Sequence, residues 1–231
     1  MEFVHRSVSS FAADCADRIV NAIEECLKHR ERCHIALSGG STPNDMFDQL
    51  AARQLPWQRV EIWQVDERVA PQADPARNAN GLLQHLVDQL SIPPRAVHLI
   101  PVHLPVHQAV SNYANLLGTR CLQGLDVIHL GLGEDGHTAS WPPGDPICEE
   151  HNALCAATAG LFNGYRRVSL TPRAVNQAHA RLMCVSGVAK THALEQLIQG
   201  GNSIPAHRLI PHHTTVMFAG MEIQLPPRTD A

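Results

Sequence analysis

The sequence predicts an α/β fold with a parallel or mostly parallel sheet and helices on both of its faces. Short apolar runs typical of buried strands alternate along the chain with stretches whose apolar residues recur at helical spacing. Three polar or glycine-rich motifs, SGGSTP, DER and GEDGH, each follow a predicted strand directly. Ligands of such sheets bind outside the carboxyl ends of the strands, so the three motifs are expected at one rim.

The first predicted elements are a helix, a short strand and a second helix. Phe11, Cys15, Ile19 and Cys26 recur at helical spacing within residues 10–30, and charged residues face the other way. Residues 34–37, HIAL, form a buried strand. SGGSTP then breaks the chain, and the next helix begins near Pro43, a residue suited to a first helical turn.

The remaining elements continue the alternation. Strands are predicted over residues 60–65, 97–100, 126–132, 166–171, 181–187 and 215–220. Helices are predicted over residues 78–90 and 107–122, briefly from Pro172, and over 188–199, where Gly200 and Gly201 end the last one. Since we find no linker, repeat or low-complexity segment, we expect one domain over residues 1–231.

Composition excludes several classes of protein. The 231 residues carry a formal charge of −4 and no long basic run, which argues against nucleic-acid binding. We see no signal-peptide pattern and no apolar run of membrane-spanning length. Seven scattered cysteines without a C-x-x-C pair fit free thiols in a reducing compartment. The sequence therefore predicts a cytoplasmic protein without membrane association, monomeric or dimeric.

The first motif has the layout of an anion-binding loop. Ser38, Gly39, Gly40, Ser41 and Thr42 lie between a strand and a helix, where backbone N–H groups favour a phosphate. The alternative is a tight turn with a Ser or Thr cap. The Walker G-K-[ST] is missing, so a nucleoside triphosphate is not expected.

The second motif places Asp66, Glu67 and Arg68 directly after a strand. Three charges there require a solvated cleft or mutual pairing, and a local ion-pair cluster is the alternative to a functional role.

The third motif contains G-x-G-x-x-G at Gly131, Gly133 and Gly136. Prolines soon follow, so the helix that a dinucleotide site requires is not expected, and neither is a bound cofactor. Instead, His137 two residues after Asp135 has the arrangement of a general base supported by a carboxylate.

Further cations and histidines of the chain are candidate ligands. Arg166, Arg167 and Lys190 are surface charges if taken singly, but beside an anion-binding loop they become candidates for holding a phosphate. His103 and His107 mimic a metal pair, although Pro105 between them argues against the helix that would align them. We therefore predict no metal site.

Together, LSGGSTP, VDER, GLGEDGHTAS, RVSLT and SGVAK resemble the 6-phosphogluconolactonases and their relatives, the glucosamine-6-phosphate deaminases/isomerases. The resemblance covers nearly the whole chain. It implies a modified Rossmann-like sheet and hydrolysis of 6-phosphoglucono-1,5-lactone to 6-phosphogluconate in the pentose phosphate pathway. It also implies a small sugar phosphate lactone as the partner, without a metal or organic cofactor.

The resemblance also implies roles for individual residues. His137 is the catalytic base, with Asp66, Arg68 and Asp135 around the reacting ring. The phosphate lies at Ser38, Gly39, Gly40, Ser41, Thr42, Arg167 and Lys190. Asn78 matches the Asn of a Ser-Asn pair in the family, although Arg77 replaces the Ser.

The residues after His137 favour the lactonases over the deaminases. The deaminase pattern Ile-Ala-Phe-Asn-Glu-Pro contains a Glu that assists ring opening, whereas this chain reads TASWPP. Trp141 and Pro142 depart from the Leu and Phe of the lactonase pattern and are expected to alter the pocket wall. The alternatives are an aminosugar-phosphate deaminase or isomerase and a non-catalytic sugar-phosphate-binding protein.

Overall fold

The computed structural model of the chain describes residues 1–40 and 42–225. Strands and α-helices alternate through these residues as β1 (Glu2–His5), α1 (Phe11–His29), β2 (Cys33–Leu37), α2 (Thr42–Ala51), β3 (Val60–Gln64), β4 (Asp66–Arg68), α3 (Asn78–His85), β5 (Val97–His98), α4 (Val106–Arg120), β6 (Val127–Leu130), β7 (Cys155–Ala157), β8 (Arg167–Leu170), α5 (Pro172–Asn176), β9 (Ala180–Ser186), α6 (Thr191–Gln199) and β10 (Thr214–Ala219).

The main sheet has seven strands in the order β1-β10-β9-β6-β2-β3-β5. Every neighbouring pair runs parallel; for example, Leu37 of β2 lies opposite His129 of β6, and His129 lies opposite Leu182 of β9. The predicted parallel α/β fold is thus confirmed.

Helices cover both faces because the strand residues are apolar on both sides. On one face, Ile35 and Leu37 of β2 pack with Ile19 of α1 and Phe47 of α2. On the other, the alternating residue Ala36 belongs to a second cluster with residues of α4 and α6. Burial on both faces explains the apolar sequence of the central strands.

A second, antiparallel sheet of three strands, in the order β4-β8-β7, is an addition that the sequence did not predict. After Val65, whose N–H still bonds to the carbonyl of Leu37, the chain leaves the main sheet. Asp66 then pairs with Ser169 of β8. The DER motif, which was predicted only to follow a strand, is therefore itself a strand.

Other differences concern element ends. The helix predicted over residues 78–90 ends at His85 and continues as a 3-10 turn over Val87–Gln89. The strand predicted over 97–100 is only Val97–His98, and β1 and β7 were not predicted. These short elements carry too few residues for a periodic signal. No helix of the described chain is long and apolar enough to span a bilayer.

The topology creates a crevice at the centre of the sheet. From β2, the chain continues through α2 to β3 on one side, while β6 lies on the other side and leads to β9. Such a reversal of direction opens a gap beyond the carboxyl ends of the strands, where α/β proteins bind their ligands.

Candidate active site

A cavity of about 360 Å³ lies at the carboxyl ends of β2, β6 and β9. Residues from all three motifs line it, as their position after strands led us to expect. The lining includes Ser38, Gly39, Gly40, Asp66, Arg68, Asn78, Gly133, His137, Arg167 and Lys190. The volume lies within the usual range for a small-molecule site, roughly 300–1,000 Å³.

The loop after β2 supplies one wall of the cavity. Gly39 packs so closely on Asn78 that a Cβ atom on this glycine would lie 2.5 Å from the asparagine side chain. Only glycine therefore permits this approach. The loop leads into the ten-residue helix α2, and the N–H groups at the start of a helix lack intrahelical partners and favour an anion. Of the predicted phosphate ligands here, Ser41 lies outside the described residues, and Thr42 is the first residue of α2.

The loop after β6 folds into tight turns around His137. The N–H of Gly133 donates to the carbonyl of His137 at 2.8 Å, and the N–H of Gly136 donates to the carbonyl of Gly133 at 3.1 Å. A Cβ atom at Gly133 would lie 1.9 Å from Nδ1 of His137. The glycine spacing thus makes room for an imidazole, and no α-helix follows Gly136 before β7.

His137 and Asp135 form a pair at the edge of the cavity. Nδ1 of His137 lies 2.5 Å from Oδ1 of Asp135, which also accepts from the His137 backbone N–H at 3.1 Å. Burial raises the pKa of Asp135, but the hydrogen bonds and charge of His137 outweigh it, so the pKa is lowered overall. Since a carboxylate only accepts hydrogen bonds, this contact places a proton on Nδ1 of His137, and the lone pair of the neutral ring is then on Nε2.

Asp66, Arg68 and Asn78 form a connected group that also lines the cavity. Nη1 of Arg68 donates to Oδ1 of Asn78 and to the carbonyl of Ala76, both at 2.6 Å. Nδ2 of Asn78 donates to the backbone carbonyl of Asp66 at 2.9 Å. The buried Asp66 accepts from Oγ of Ser140 at 2.6 Å. These bonds hold the three side chains in fixed positions along the cavity.

Glu67, the middle residue of the DER motif, points away from the cavity into the protein. Its carboxylate accepts from the N–H groups of Arg68, Asn78 and Ala79 at 2.7–2.9 Å and from Nε2 of Gln64 at 3.0 Å. Arg77 forms an ion pair with it at 3.0 Å, so the residue that replaces the family's Ser has a structural partner. Glu67 therefore belongs to a local ion-pair cluster, which was the alternative to a functional role for the DER motif. Its neighbours Asp66 and Arg68 line the cavity.

The predicted phosphate-binding cations differ in position. Arg167 is buried at the cavity, with Nη1 3.9 Å from Oδ2 of Asp66. Lys190 lines the cavity and pairs with Glu134 at 3.4 Å. Arg166 instead donates to the carbonyl of Thr158 and is not among the lining residues.

The charges around the cavity favour an anion. The described lining contains three cations, Arg68, Arg167 and Lys190, against two carboxylates, Asp45 and Asp66. Burial, followed by the nearby charge of Arg68, lowers the pKa of Arg167, while Asp66 opposes this shift. The two guanidinium groups remain protonated in proteins and match the two carboxylates in number, and Lys190 is the additional cation of the described lining.

Two residues at the site, Phe162 and His129, were not predicted from the sequence. Phe162 stands behind the cavity, where it contacts both His137 and Arg167. No local pattern points to it, because a turn far along the chain brings it there. His129 lines the cavity from β6. A histidine within the buried strand VIHL is the signal that could have identified it.

Trp141 does not form the pocket wall, contrary to our expectation. It is fully buried, its Nε1 donates to the carbonyl of Leu170 at 2.8 Å, and it is absent from the described lining. Pro142 is buried too and lies outside the lining. Trp141 therefore packs against the second sheet through Leu170 of β8. Neither of the two residues that depart from the lactonase pattern lines the described cavity.

One group of residues with metal-ligand chemistry lies elsewhere. Ligand atoms of Cys26, Cys33 and Asp126 lie within 4.8 Å of one another. Asp126 already pairs with Arg30 at 3.1 Å and accepts from the N–H of His34 at 2.7 Å. Burial raises the pKa of the Cys26 thiol to about 11 and that of Cys33 further. These contacts account for the group without a metal.

The fold and the cavity together define an α/β protein with the site of an enzyme that acts on a small anionic substrate. A family model described as "Glucosamine-6-phosphate isomerases/6-phosphogluconolactonase" matches residues 6–218. The chain belongs to this family, which confirms the resemblance noted in the sequence.

Individual relatives agree with this assignment. A 6-phosphogluconolactonase of Synechocystis sp. is 32% identical over 186 residues, which are 78% of this chain and 77% of the relative. A crystal structure of 6-phosphogluconolactonase from Thermotoga maritima superposes with a TM-score of 0.86 at 26% identity, covering 95% of this chain and 100% of the other.

A longer relative contains a similar segment. The human GDH/6PGL endoplasmic bifunctional protein is 31% identical over 221 residues, or 89% of this chain. The match spans only 28% of the length of that protein, so the similarity concerns one part of it.

Proposed function

We propose that this chain is a 6-phosphogluconolactonase, a hydrolase that converts 6-phosphoglucono-1,5-lactone to 6-phosphogluconate in the pentose phosphate pathway. The observation that carries the proposal is the His137–Asp135 pair at a cavity that the glycine-rich loop after β2 also lines. The curated relatives of similar length are named for this activity.

The proposed reaction needs no covalent intermediate. Nε2 of His137 takes a proton from a water molecule while the water oxygen bonds to C1 of the lactone. The negative charge that develops on the carbonyl oxygen is stabilised by Arg68 or by backbone N–H groups. The bond from C1 to the ring oxygen then breaks, and the imidazolium returns its proton to that oxygen. A positioned base contributes about 10²–10⁴-fold to such a step.

The remaining residues bind and orient the substrate. Ser38, Gly39, Gly40, Arg167 and Lys190 hold the phosphate, and Ser41 and Thr42 are included in this proposal from their sequence positions. Asp66, Arg68 and Asn78 face the sugar ring. A phosphate held far from C1 fixes the position of the lactone relative to His137.

The carboxylates of the cavity favour hydrolysis over deamination. The described lining contains Asp45 and Asp66 but no glutamate, and the position of the deaminase Glu is occupied by the buried Pro142. We also propose a cytoplasmic location, in keeping with seven free cysteines, and activity as a monomer or dimer.

A direct assay tests the proposal. Acid release from 6-phosphoglucono-1,5-lactone is followed in weak buffer, with spontaneous hydrolysis subtracted. We expect His137→Asn to lower kcat by roughly 10²-fold or more, while the Kd for 6-phosphogluconate stays within about threefold. Wild-type kcat in this variant, or ammonia release from glucosamine 6-phosphate without lactone hydrolysis, contradicts the proposal. Binding without any turnover identifies a sugar-phosphate-binding protein instead.

A further inference from the structure

Ser140, three residues after His137, joins the loop after β6 to the strand β4. Its side chain is fully buried and is not part of the described lining of the cavity. Oγ of Ser140 lies 2.6 Å from Oδ2 of Asp66. Because a carboxylate only accepts hydrogen bonds, the serine hydroxyl is the donor. A short hydrogen bond of this kind to an ionised group is stronger than one between neutral groups.

The two carboxylate oxygens of Asp66 have different surroundings. Oδ2 accepts from Ser140 and lies 3.9 Å from Nη1 of Arg167, which is too far for a hydrogen bond but close enough for electrostatic attraction. Oδ1 has no hydrogen-bond partner in the described part of the chain, and Asp66 lines the cavity. The bond from Ser140 therefore occupies one oxygen and leaves the other for a ligand.

The backbone just before Ser140 has an unfavourable conformation. Ala139 has a φ of 50°, in the left-handed region that residues with a Cβ atom rarely adopt. The N–H of Trp141 donates to the carbonyl of Thr138 at 3.1 Å, and Oγ1 of Thr138 donates to the carbonyl of Gly131 at 2.8 Å. Such a conformation persists only where the surrounding contacts enforce it, and it is most frequent at functional sites. The turn thus fixes the direction of the serine side chain.

The second sheet holds Ser140 from the other side. The N–H of Ser140 donates to Oγ of the fully buried Ser169 at 3.2 Å. Ser169 lies opposite Asp66 in the antiparallel pairing of β8 with β4. Ser140, Ser169 and Asp66 therefore form a closed connection between the loop of His137 and the strand that carries Asp66.

We propose that Ser140 is a positioning residue of the reaction, whose hydroxyl fixes the Asp66 carboxylate relative to His137 so that Oδ1 accepts a hydrogen bond from the sugar ring. Since Ser140 is not part of the described lining, it acts through Asp66 and not on the substrate itself. A fixed acceptor favours one orientation of the ring, and orientation of the reacting carbon is a large part of catalysis. The inference rests on the proposed function, because it takes the ligand of the cavity to be the sugar lactone.

A double-mutant cycle tests whether Ser140 acts through Asp66. The kcat/KM for 6-phosphoglucono-1,5-lactone and the Kd for 6-phosphogluconate are measured for wild type, Ser140→Ala, Asp66→Ala and the double variant. We expect Ser140→Ala to lower kcat/KM roughly 10-fold and to raise the Kd by a few-fold. In the Asp66→Ala background no carboxylate remains to be positioned, so the same change should alter either constant by less than about twofold.

Thr171→Val is the matched control for the loss of a buried hydroxyl. Oγ1 of the fully buried Thr171 donates to the carbonyl of Ala153 at 2.6 Å, and Thr171 is outside the described lining, so both constants should stay unchanged. An effect of Ser140→Ala that is equally large with and without the Asp66 carboxylate, or absent in both backgrounds, overturns the inference. Should Ser140→Ala not fold, Ser140→Cys takes its place in the cycle, because a thiol is only a weak donor.

Failure of the proposed activity is distinguished by the binding measurements. A wild-type protein that binds 6-phosphogluconate but hydrolyses no lactone refutes the proposed function alone. The Kd cycle then decides on Ser140: coupling between the two substitutions supports the positioning role, and independent or absent effects overturn it. A wild-type protein that does not bind 6-phosphogluconate overturns both.

Discussion

The ring of Phe162 meets the imidazole of His137 edge-on, with 4.8 Å between the ring centroids. The guanidinium carbon of Arg167 lies 4.9 Å from the same centroid, and Nε of Arg167 donates to the Phe162 carbonyl at 3.3 Å. A two-residue turn, closed by hydrogen bonds between Phe162 and Tyr165, presents the ring. One residue therefore supports both the proposed base and a proposed phosphate ligand.

We expect Phe162→Leu to lower kcat and to raise KM for the lactone, each by roughly 3–10-fold. An aromatic contact of this kind contributes about 0.5–1.5 kcal/mol, and the variant loses one such contact on each side of the ring. Steady-state kinetics give both constants. Phe162→Tyr keeps the ring and should retain most of the activity, and Leu161→Ala, at a neighbour that is 74% exposed, is the control. Unchanged constants in Phe162→Leu would show that the ring does not position either residue.

The ion pair between Lys190 and Glu134 predicts opposite effects of two substitutions. Nζ of Lys190 is 3.4 Å from Oε1 of Glu134, so a bound phosphate competes with this carboxylate for the ammonium group. Lys190→Ala is expected to raise KM about 10-fold through loss of a charged hydrogen bond. Glu134→Gln frees Lys190 and is expected to lower KM by a few-fold. If KM rises in Glu134→Gln, or stays unchanged in Lys190→Ala, Lys190 does not bind the phosphate.

The lowered pKa of Asp135 predicts a pH dependence of stability. A carboxyl group whose pKa is lower in the folded protein stabilises it above the unfolded pKa of about 3.9. This contribution is lost as the pH falls through the lower, folded pKa. The difference in unfolding free energy between wild type and Asp135→Asn should therefore be present at about pH 5 and vanish at more acidic pH. Urea titrations at a series of pH values measure this difference.

The same substitution should impair catalysis at neutral pH. An amide in place of the carboxylate no longer fixes the proton on Nδ1 of His137, so we expect kcat to fall roughly 10²-fold with little change in KM. A difference in stability that is independent of pH, or a normal kcat, would show that the pair does not act in this way.

The sequence predicted the central features of the fold because they depend on local signals. The apolar strands around Ile35 and Ile128 and the motifs after them were identified from composition and order alone. The antiparallel sheet was missed since its strands have three or four residues, and pairing between Asp66 and Ser169 joins segments about a hundred residues apart. Phe162 could not be predicted for the same reason.

The inward direction of the Glu67 side chain could be predicted only if DER were known to be a strand. A strand alternates the sides of its residues, so in DER the first and third side chains share one face and the second takes the other. Had DER been recognised as a strand, Asp66 and Arg68 could have been assigned to the cavity and Glu67 to the interior. Three charged residues in a row give no apolar alternation, so the sequence alone did not identify DER as a strand.

Glu67 is expected to determine the stability of the site rather than its chemistry. Its fully buried carboxylate binds the N–H groups of Asn78 and Ala79, the first residues of α3, and thereby fixes Asn78 beside Arg68. Glu67→Ala leaves these donors and the cation of Arg77 without their partner, and loss of one member of a buried pair costs about 3–5 kcal/mol. We expect a loss of that size in the free energy of unfolding, together with lower kcat/KM, because Asn78 and Arg68 lose their support. Urea denaturation and lactone kinetics measure the two effects.

Glu149→Ala is the control for Glu67→Ala. It removes an exposed carboxylate that pairs with Arg208, and it should cost less than about 1 kcal/mol of unfolding free energy. Equal effects of the two substitutions on stability would refute the assigned role of Glu67.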